Sequence, residues 1–184
     1  MIVTIKPLAF EQLKIGDKWT STDRAVVAGD LQCFANLTGD HDPLHTDPEF
    51  AANGPFGKPI AHGLLGLSIL AGLSSSAPAV LTAALTDIRS WSFIKPVFVG
   101  DVLQVVTEII DLKPRGRRHG EVHWYRQLFN QKREKVQDGI LVTLVSRLVP
   151  LPNKKSLRSP IIESETARSD SISQRTTEET VATF

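Results

Sequence analysis

The sequence predicts an α+β domain in which one long apolar helix is enclosed by an antiparallel sheet. Three observations predict it. The stretch AHGLLGLSILAGL, Ala61 to Leu73, is apolar on every face, the mark of a helix surrounded by protein. From Val80 onward the period shifts toward two, and four segments rich in Val, Ile, Leu, Thr and aromatic residues follow one another, as strands do. Turn-forming segments, Pro96 to Asp101, Lys113 to Gly120 and Asn130 to Glu134, separate them.

Each element has its own justification. The strands are expected at about 82–95, 101–112, 119–130 and 136–149. In the last one Ile140, Val142, Leu144 and Leu148 alternate with Leu141, Thr143, Val145 and Arg147. Both faces are therefore substantially apolar, which calls for cover on one side and a partner on the other. Within the apolar helix Gly63, Gly66 and Gly72 are poor helix formers, and their expected use is close approach of a neighbour. Residues 10–76 read as loops and helices. Asp30 is placed to cap a short helix carrying Leu31, Phe34 and Leu37 on one face, with Gly39 ending it. Asp40 to Pro59 is then a long connection containing Pro43, Pro48, Pro55 and Pro59, with a short helical turn at Pro48–Ala52. A connection of that length in a small domain is usually functional.

Bulk properties narrow the classes. The chain has 184 residues, 41% hydrophobic and 22% charged, which fits one ordinary domain with a real core. Composition changes near Pro150. Residues 151–184 interleave Ser and Thr with charged residues and lack apolar periodicity, so they are expected to form a polar, disordered tail beyond a domain of residues 1–150. A formal net charge of +1 argues against a nucleic-acid partner. Cys33 is the single cysteine, which excludes an internal disulfide framework and a cysteine-based zinc site. The apolar run Ile60 to Leu73 is too short and too broken to span a bilayer, and the first residues lack the pattern of a signal peptide. The expectation is a cytoplasmic protein with no membrane partner.

The densest chemistry lies in GDHDPLH, Gly39 to His45. Pro43 fixes its own φ and pushes Asp42 toward an extended conformation, so the chain between Asp40 and His45 is bent and stiff. Across such a bend a carboxylate and an imidazole can face one volume and polarise a water. The spacing alone equally fits a capped turn beside a satisfied histidine. His62-Gly63 opens the apolar helix. The first amides of a helix have no internal partners and can stabilise negative charge, and Gly63 has no side chain to obstruct a ligand. Packing alone would also explain a glycine there.

Taken together, "LAFEQLKIGDKW", "FANLTGDHDPLHTDPEFA" (Phe34 to Ala51), "KPIAHGLLGLS" (Lys58 to Ser68) and "WSFIKPVFVGD" (Trp91 to Asp101) resemble the MaoC-like dehydratases, above all the (R)-specific enoyl-CoA hydratases of the hydratase 2 type. The resemblance covers about residues 8–149. It implies a hot-dog fold, a long helix wrapped by a curved antiparallel sheet, and a homodimer joined by sheet edges. It implies the catalytic pair Asp40 and His45, a Gly63 amide on the thioester carbonyl, and Ser68 as a supporting pocket residue, with His62 and Asp42 beside them. Asp42 departs from the family pattern, which has Asn there. The implied activity is lyase chemistry on an enoyl-CoA or acyl-carrier thioester, with no metal or redox cofactor. A hot-dog thioesterase and a non-catalytic acyl-binding subunit are the alternatives.

Lesser features have blander expectations. His41, His45 and His62 with Asp40 and Asp42 show no zinc-protease spacing or facial-triad pattern. The run Lys113 to His119 holds four cations that suit the phosphates of coenzyme A, or simply a solvated hairpin turn. His119 and His123 read as structural or surface groups, and Trp91, Trp124 and Phe98 as core or dimer contacts.

Overall fold

A computed structural model describes residues 6–149; the expected tail lies outside them. In chain order there is a 3-10 turn at Phe10–Gln12, short strands β1 (Lys18–Thr20) and β2 (Arg24–Ala25), and helices α1 (Ala28–Thr38), α2 (Pro43–Thr46), α3 (Pro48–Ala52) and α4 (Gly63–Ser74). Strands β3 (Thr82–Phe93), β4 (Val102–Arg115), β5 (His119–Phe129) and β6 (Lys135–Ser146) follow. The sheet order is β1-β4-β5-β6-β3, with β2 also pairing β4. Every pairing between these strands is antiparallel.

The order puts β3, the first long strand, at the sheet's edge against β6, the last. β4, β5 and β6 each carry buried residues, whereas β3 is largely exposed. Leu65, Ile69 and Leu70 of α4 pack with Val97, Leu103, Val105, Leu128, Val136 and Leu141 in one core. A second core gathers Leu13, Ile109, Val122, Trp124 and Val145, with Phe10 and Trp19 against it. Trp124 is fully buried and donates from Nε1 to Thr143 Oγ1 at 2.8 Å, which satisfies its one polar atom. The β5–β6 turn is held by Asn130, whose Oδ1 accepts from the amides of Lys132 and Glu134, both at 3.0 Å.

Several expectations need correction. Residues 10–76 are not all loop and helix: β1 and β2 extend the sheet, too short to leave a period-two trace. Asp30 is not the cap of α1. It sits one turn in and accepts from the Val27 amide at 2.9 Å, while also pairing with Arg24 at 2.8 Å. Leu31 is buried as expected, but Leu37 is 83% exposed, because the three-residue spacing drifts around a 3.6-residue helix. Gly39 does end α1, at φ 77°. The Lys113 to Gly120 turn is narrower than read, since Pro114 and Arg115 stay in the ladder opposite Gly120 and His119. His123 is a buried structural group bonded to Glu121 at 2.8 Å.

The largest correction concerns α4. Its Leu65, Gly66, Ile69, Leu70 and Ser74 are buried, but Leu64 is 60% exposed and Gly63, Ser68, Ala71 and Gly72 lie on the same open side. One chain therefore wraps the helix incompletely. Gly63 and Gly66 do admit close neighbours, whereas no neighbour approaches Gly72. Among the described residues no helix is long and apolar enough to cross a membrane. Because Leu70 is fully buried at the centre of the main core, Leu70→Ala is expected to cost about 2–5 kcal/mol of stability, read from the midpoint of chemical denaturation.

Candidate active site

The loop after α1 is built from short capped turns. Gly39 takes the left-handed conformation that lets the chain leave the helix. Asp42 Oδ1 accepts from the Leu44 amide at 2.8 Å and caps α2, with Pro43 at the first helical position. Asp47 caps α3 in the same way through the amides of Glu49 and Phe50. Asp42 is therefore a capping residue. Asn and Asp serve equally well in that position, which explains in physical terms why an aspartate can stand where the related signature has asparagine.

Two imidazoles then tie the loop to the start of α4. His45 Nδ1 lies 2.7 Å from the Ile60 carbonyl. A carbonyl only accepts, so Nδ1 carries the proton and Nε2 of the neutral ring is left as an acceptor. His62 Nε2 lies 3.0 Å from the Asp40 carbonyl and 4.0 Å from Asp40 Oδ2. The two rings lie 3.9 Å apart between centroids, tilted by 31°, and the Phe34 ring lies 5.0 Å from that of His62. His62 is only 3% exposed, whereas the Asp40 side chain is half exposed. Ligand atoms of Asp40, His45 and His62 all lie within 4.8 Å of one another. Two of the four imidazole nitrogens of this trio already bond carbonyls.

A cavity of about 270 Å³ opens beside His45, lined also by Phe56, Ile60, Gly63, Phe93 and Gln137. Gly63 is the first residue of α4, so its amide has no acceptor within the helix. A Cβ at that position would stand 3.0 Å from the Phe93 ring; the glycine lets the ring close over the helix start. The structure thus brings Asp40, His45 and His62 together, and His45 and Gly63 to one cavity, whose lining does not include Asp40 or His62. It does not bring Ser68 there. That hydroxyl donates to the Leu64 carbonyl at 2.8 Å, and the side chain borders a different cavity with Thr22 and Arg24. The basic hairpin is also remote within the chain. It closes the far end of β5, whereas Gln137 pairs with Leu128 near the other end. Lys113 pairs with Asp111 at 2.6 Å and Arg115 stands 3.9 Å from Glu121.

Gln137 is the site residue that the sequence reading missed. It is 2% exposed, and its Nε2 donates to the Gly63 carbonyl at 3.0 Å. A Cβ on Gly66 would fall 2.2 Å from that nitrogen, so Gly66 makes room for the amide to lie across the helix. The one available signal was its register, a polar residue on the same strand face as Leu141, Thr143 and Val145.

A helix cradled by an antiparallel sheet, with a polar loop at its leading end, defines the class as a hot-dog domain. The match to a mycobacterial protein with a double hot-dog fold agrees: TM-score 0.67, 22% identity, covering 77% of this chain and 44% of that one. Residues 11–127 match the MaoC-like domain family, and the chain belongs to that family. It is 33% identical over 119 residues to a 3-hydroxybutyryl-CoA dehydratase of Methylorubrum extorquens, covering 64% of this chain and 74% of the relative. It is 36% identical over 107 residues to the (R)-specific enoyl-CoA hydratase of Aeromonas caviae, covering 58% and 78% respectively.

The capping role of Asp42 is open to direct test. Asp42→Asn is expected to leave the denaturation midpoint unchanged, and Asp42→Ala to lower stability by about 1 kcal/mol.

Proposed function

We propose that this chain reversibly hydrates a trans-2-enoyl thioester to the (R)-3-hydroxyacyl thioester. Relatives named as 3-hydroxybutyryl-CoA dehydratase, (R)-specific enoyl-CoA hydratase and 3-hydroxyacyl-thioester dehydratase support hydratase and dehydratase chemistry, and the chain is an enzyme of that class. The observation that carries the finer reading is His45. Its Nδ1 is fixed on the Ile60 carbonyl, and the ring lines the cavity that Gly63 also borders.

In the proposed mechanism His45 Nε2 and the Asp40 carboxylate hold one water opposite C3 of the enoyl group. The water oxygen bonds to C3, and its proton passes to the imidazole. The electron pair of the C2–C3 bond moves toward the thioester oxygen, where the Gly63 amide and the positive end of α4 meet it. That proton then goes to C2, so the elements of one water have been added. A positioned acid–base group contributes about 10²–10⁴ in rate, and one oxyanion donor about 10²–10³. Dehydration is the same path in reverse. His62 supports the pair by fixing the backbone of Asp40 and stacking on His45. The acyl carrier is coenzyme A or an acyl carrier protein.

The assembly proposed is a homodimer. Among the described residues β3 has a free edge, and Leu85, Ile88 and Phe93 are 53%, 43% and 55% exposed beside the open side of α4. A second copy pairing along β3 would cover both. Exposed, unpaired Cys33 suits the cytoplasm as the compartment.

Asp40→Asn and His45→Gln are each expected to slow hydration by about 10²-fold or more, followed as loss of the conjugated enoyl absorbance with folding checked by circular dichroism. Wild-type rates in both variants, on a substrate the wild-type protein turns over, would contradict the assignment. Light scattering should give twice the chain mass of 20.2 kDa; a monomer would contradict the dimer.

A further inference from the structure

The Gly63 carbonyl takes a bond that its helix does not require. In an α-helix that carbonyl ordinarily accepts from the amide four residues on. Gln137 of β6 adds a second donor, its Nε2 at 3.0 Å. A carbonyl only accepts, so the side-chain amide can lie one way round, with Oε1 turned elsewhere. Oε1 is buried and has no hydrogen-bond partner among the described residues. An enclosed acceptor left unpaired is costly, so the loss at Oε1 offsets the gain at Nε2. Gln137 is 2% exposed within this one chain. Its own sheet and helix enclose it, and it does not await a second copy to cover it.

The sheet grips the first turn of α4 at two adjoining points. Gln137 stands opposite Phe93 of β3 in the ladder, and directly opposed residues share a face of the sheet. The Phe93 ring closes on Gly63, where a Cβ would stand 3.0 Å from it. The Gln137 amide lies across Gly66, where a Cβ would stand 2.2 Å from its nitrogen. Gly63 and Gln137 both line the cavity beside His45. The smallness that admits these neighbours has a drawback. A glycine has more backbone freedom than any other residue, and the amide of this one has no acceptor within the helix to steady it. Its carbonyl and amide meet at one Cα. Pinning the carbonyl therefore narrows the directions that the amide can take.

We propose that Gln137 is a positioning residue for hydration: by holding the Gly63 carbonyl it aims the Gly63 amide at the thioester oxygen. This rests on the proposed hydration chemistry and names one more residue that sets its rate. Gln137 acts through Gly63, not on the reacting atoms. An apolar side chain of similar volume would fill the same space with no orphaned acceptor. It would lack only the hold on the carbonyl.

The test measures kcat and KM of the full chain for hydration of crotonyl-CoA across the neutral pH range, beside the midpoint of chemical denaturation. Gln137→Met is expected to keep or raise the midpoint and to lower kcat by about tenfold or more, short of the 10²–10³ for complete loss of an oxyanion donor. KM is expected to stay within about twofold, as for an interaction made in the transition state. Gln137→Glu supplies a donor only while its carboxyl is protonated, which burial favours. Its kcat relative to wild type is expected to rise about tenfold toward the acid limb. His45 and Lys95, the titratable groups lining the same cavity, are common to both proteins, so the ratio isolates the substituted position. Wild-type kcat in Gln137→Met would overturn the proposal. So would a loss confined to KM, a flat ratio for Gln137→Glu, or a Gln137→Met chain that no longer folds, since the amide is assigned no net part in stability. A wild-type protein that turns over no enoyl thioester would remove the hydration reading instead. Amide hydrogen exchange then decides the positioning role. The Leu65 and Gly66 amides, which bond the His62 carbonyl, are expected to exchange about threefold faster or more in Gln137→Met, and unchanged exchange would overturn it.

Discussion

Two imidazole-to-carbonyl bonds hold the candidate site together. His45 reaches the Ile60 carbonyl and His62 reaches the Asp40 carbonyl, so each end of the loop is fixed by a histidine from the other. The two rings also pack against each other, tilted by 31°. This cross-tie adds to the backbone bond from the Ile60 amide to the Leu44 carbonyl in keeping Asp40 and His45 within reach of α4. The bonds also set the protonation pattern. A histidine whose Nδ1–H is engaged by a carbonyl presents its other nitrogen as a base, and that nitrogen is what water activation needs.

The helix gives the tie something rigid to act on. α4 is anchored by Leu65, Ile69 and Leu70 in the main core, so its leading amides keep a fixed direction. Gln137 and Phe93 close over its first turn because Gly63 and Gly66 carry no side chains. Smallness, and not flexibility, is the use of those glycines. The same helix leaves Leu64 and its neighbours in the open, beside the unpaired edge of β3. Exposed apolar surface next to a strand edge that is unpaired among the described residues is a liability in a monomer, and the proposed homodimer would cover it.

The long-range plan was legible because it rests on period and composition. The run from Ala61 to Leu73 and the four period-two segments after Val80 leave strong traces, and they became α4 and β3 to β6. β1 and β2 span three and two residues, too few to show any period, and tertiary pairing with β4 makes them strands. The pair Asp40 and His45 was legible because Pro43 stiffens the bend between them. The capping role of Asp42 was not: an aspartate before Pro43 reads equally as a charge in the site or an acceptor for a turn, and only the amide of Leu44 decides. Ser68 matched a motif by position, yet its hydroxyl turns back to its own helix. Gln137 was hidden because its partner, the Gly63 carbonyl, is distant in sequence and carries no side-chain signal.

The proposed chemistry needs the acyl thioester to lie with C3 at the Asp40–His45 pair and its carbonyl at the start of α4. A crystal structure with a bound (R)-3-hydroxyacyl-CoA product tests this most directly. The 3-hydroxyl is expected within hydrogen-bonding distance of both His45 Nε2 and the Asp40 carboxylate, and the thioester oxygen on the Gly63 amide. A product whose hydroxyl sits away from both groups, or whose thioester oxygen faces another donor, would contradict it.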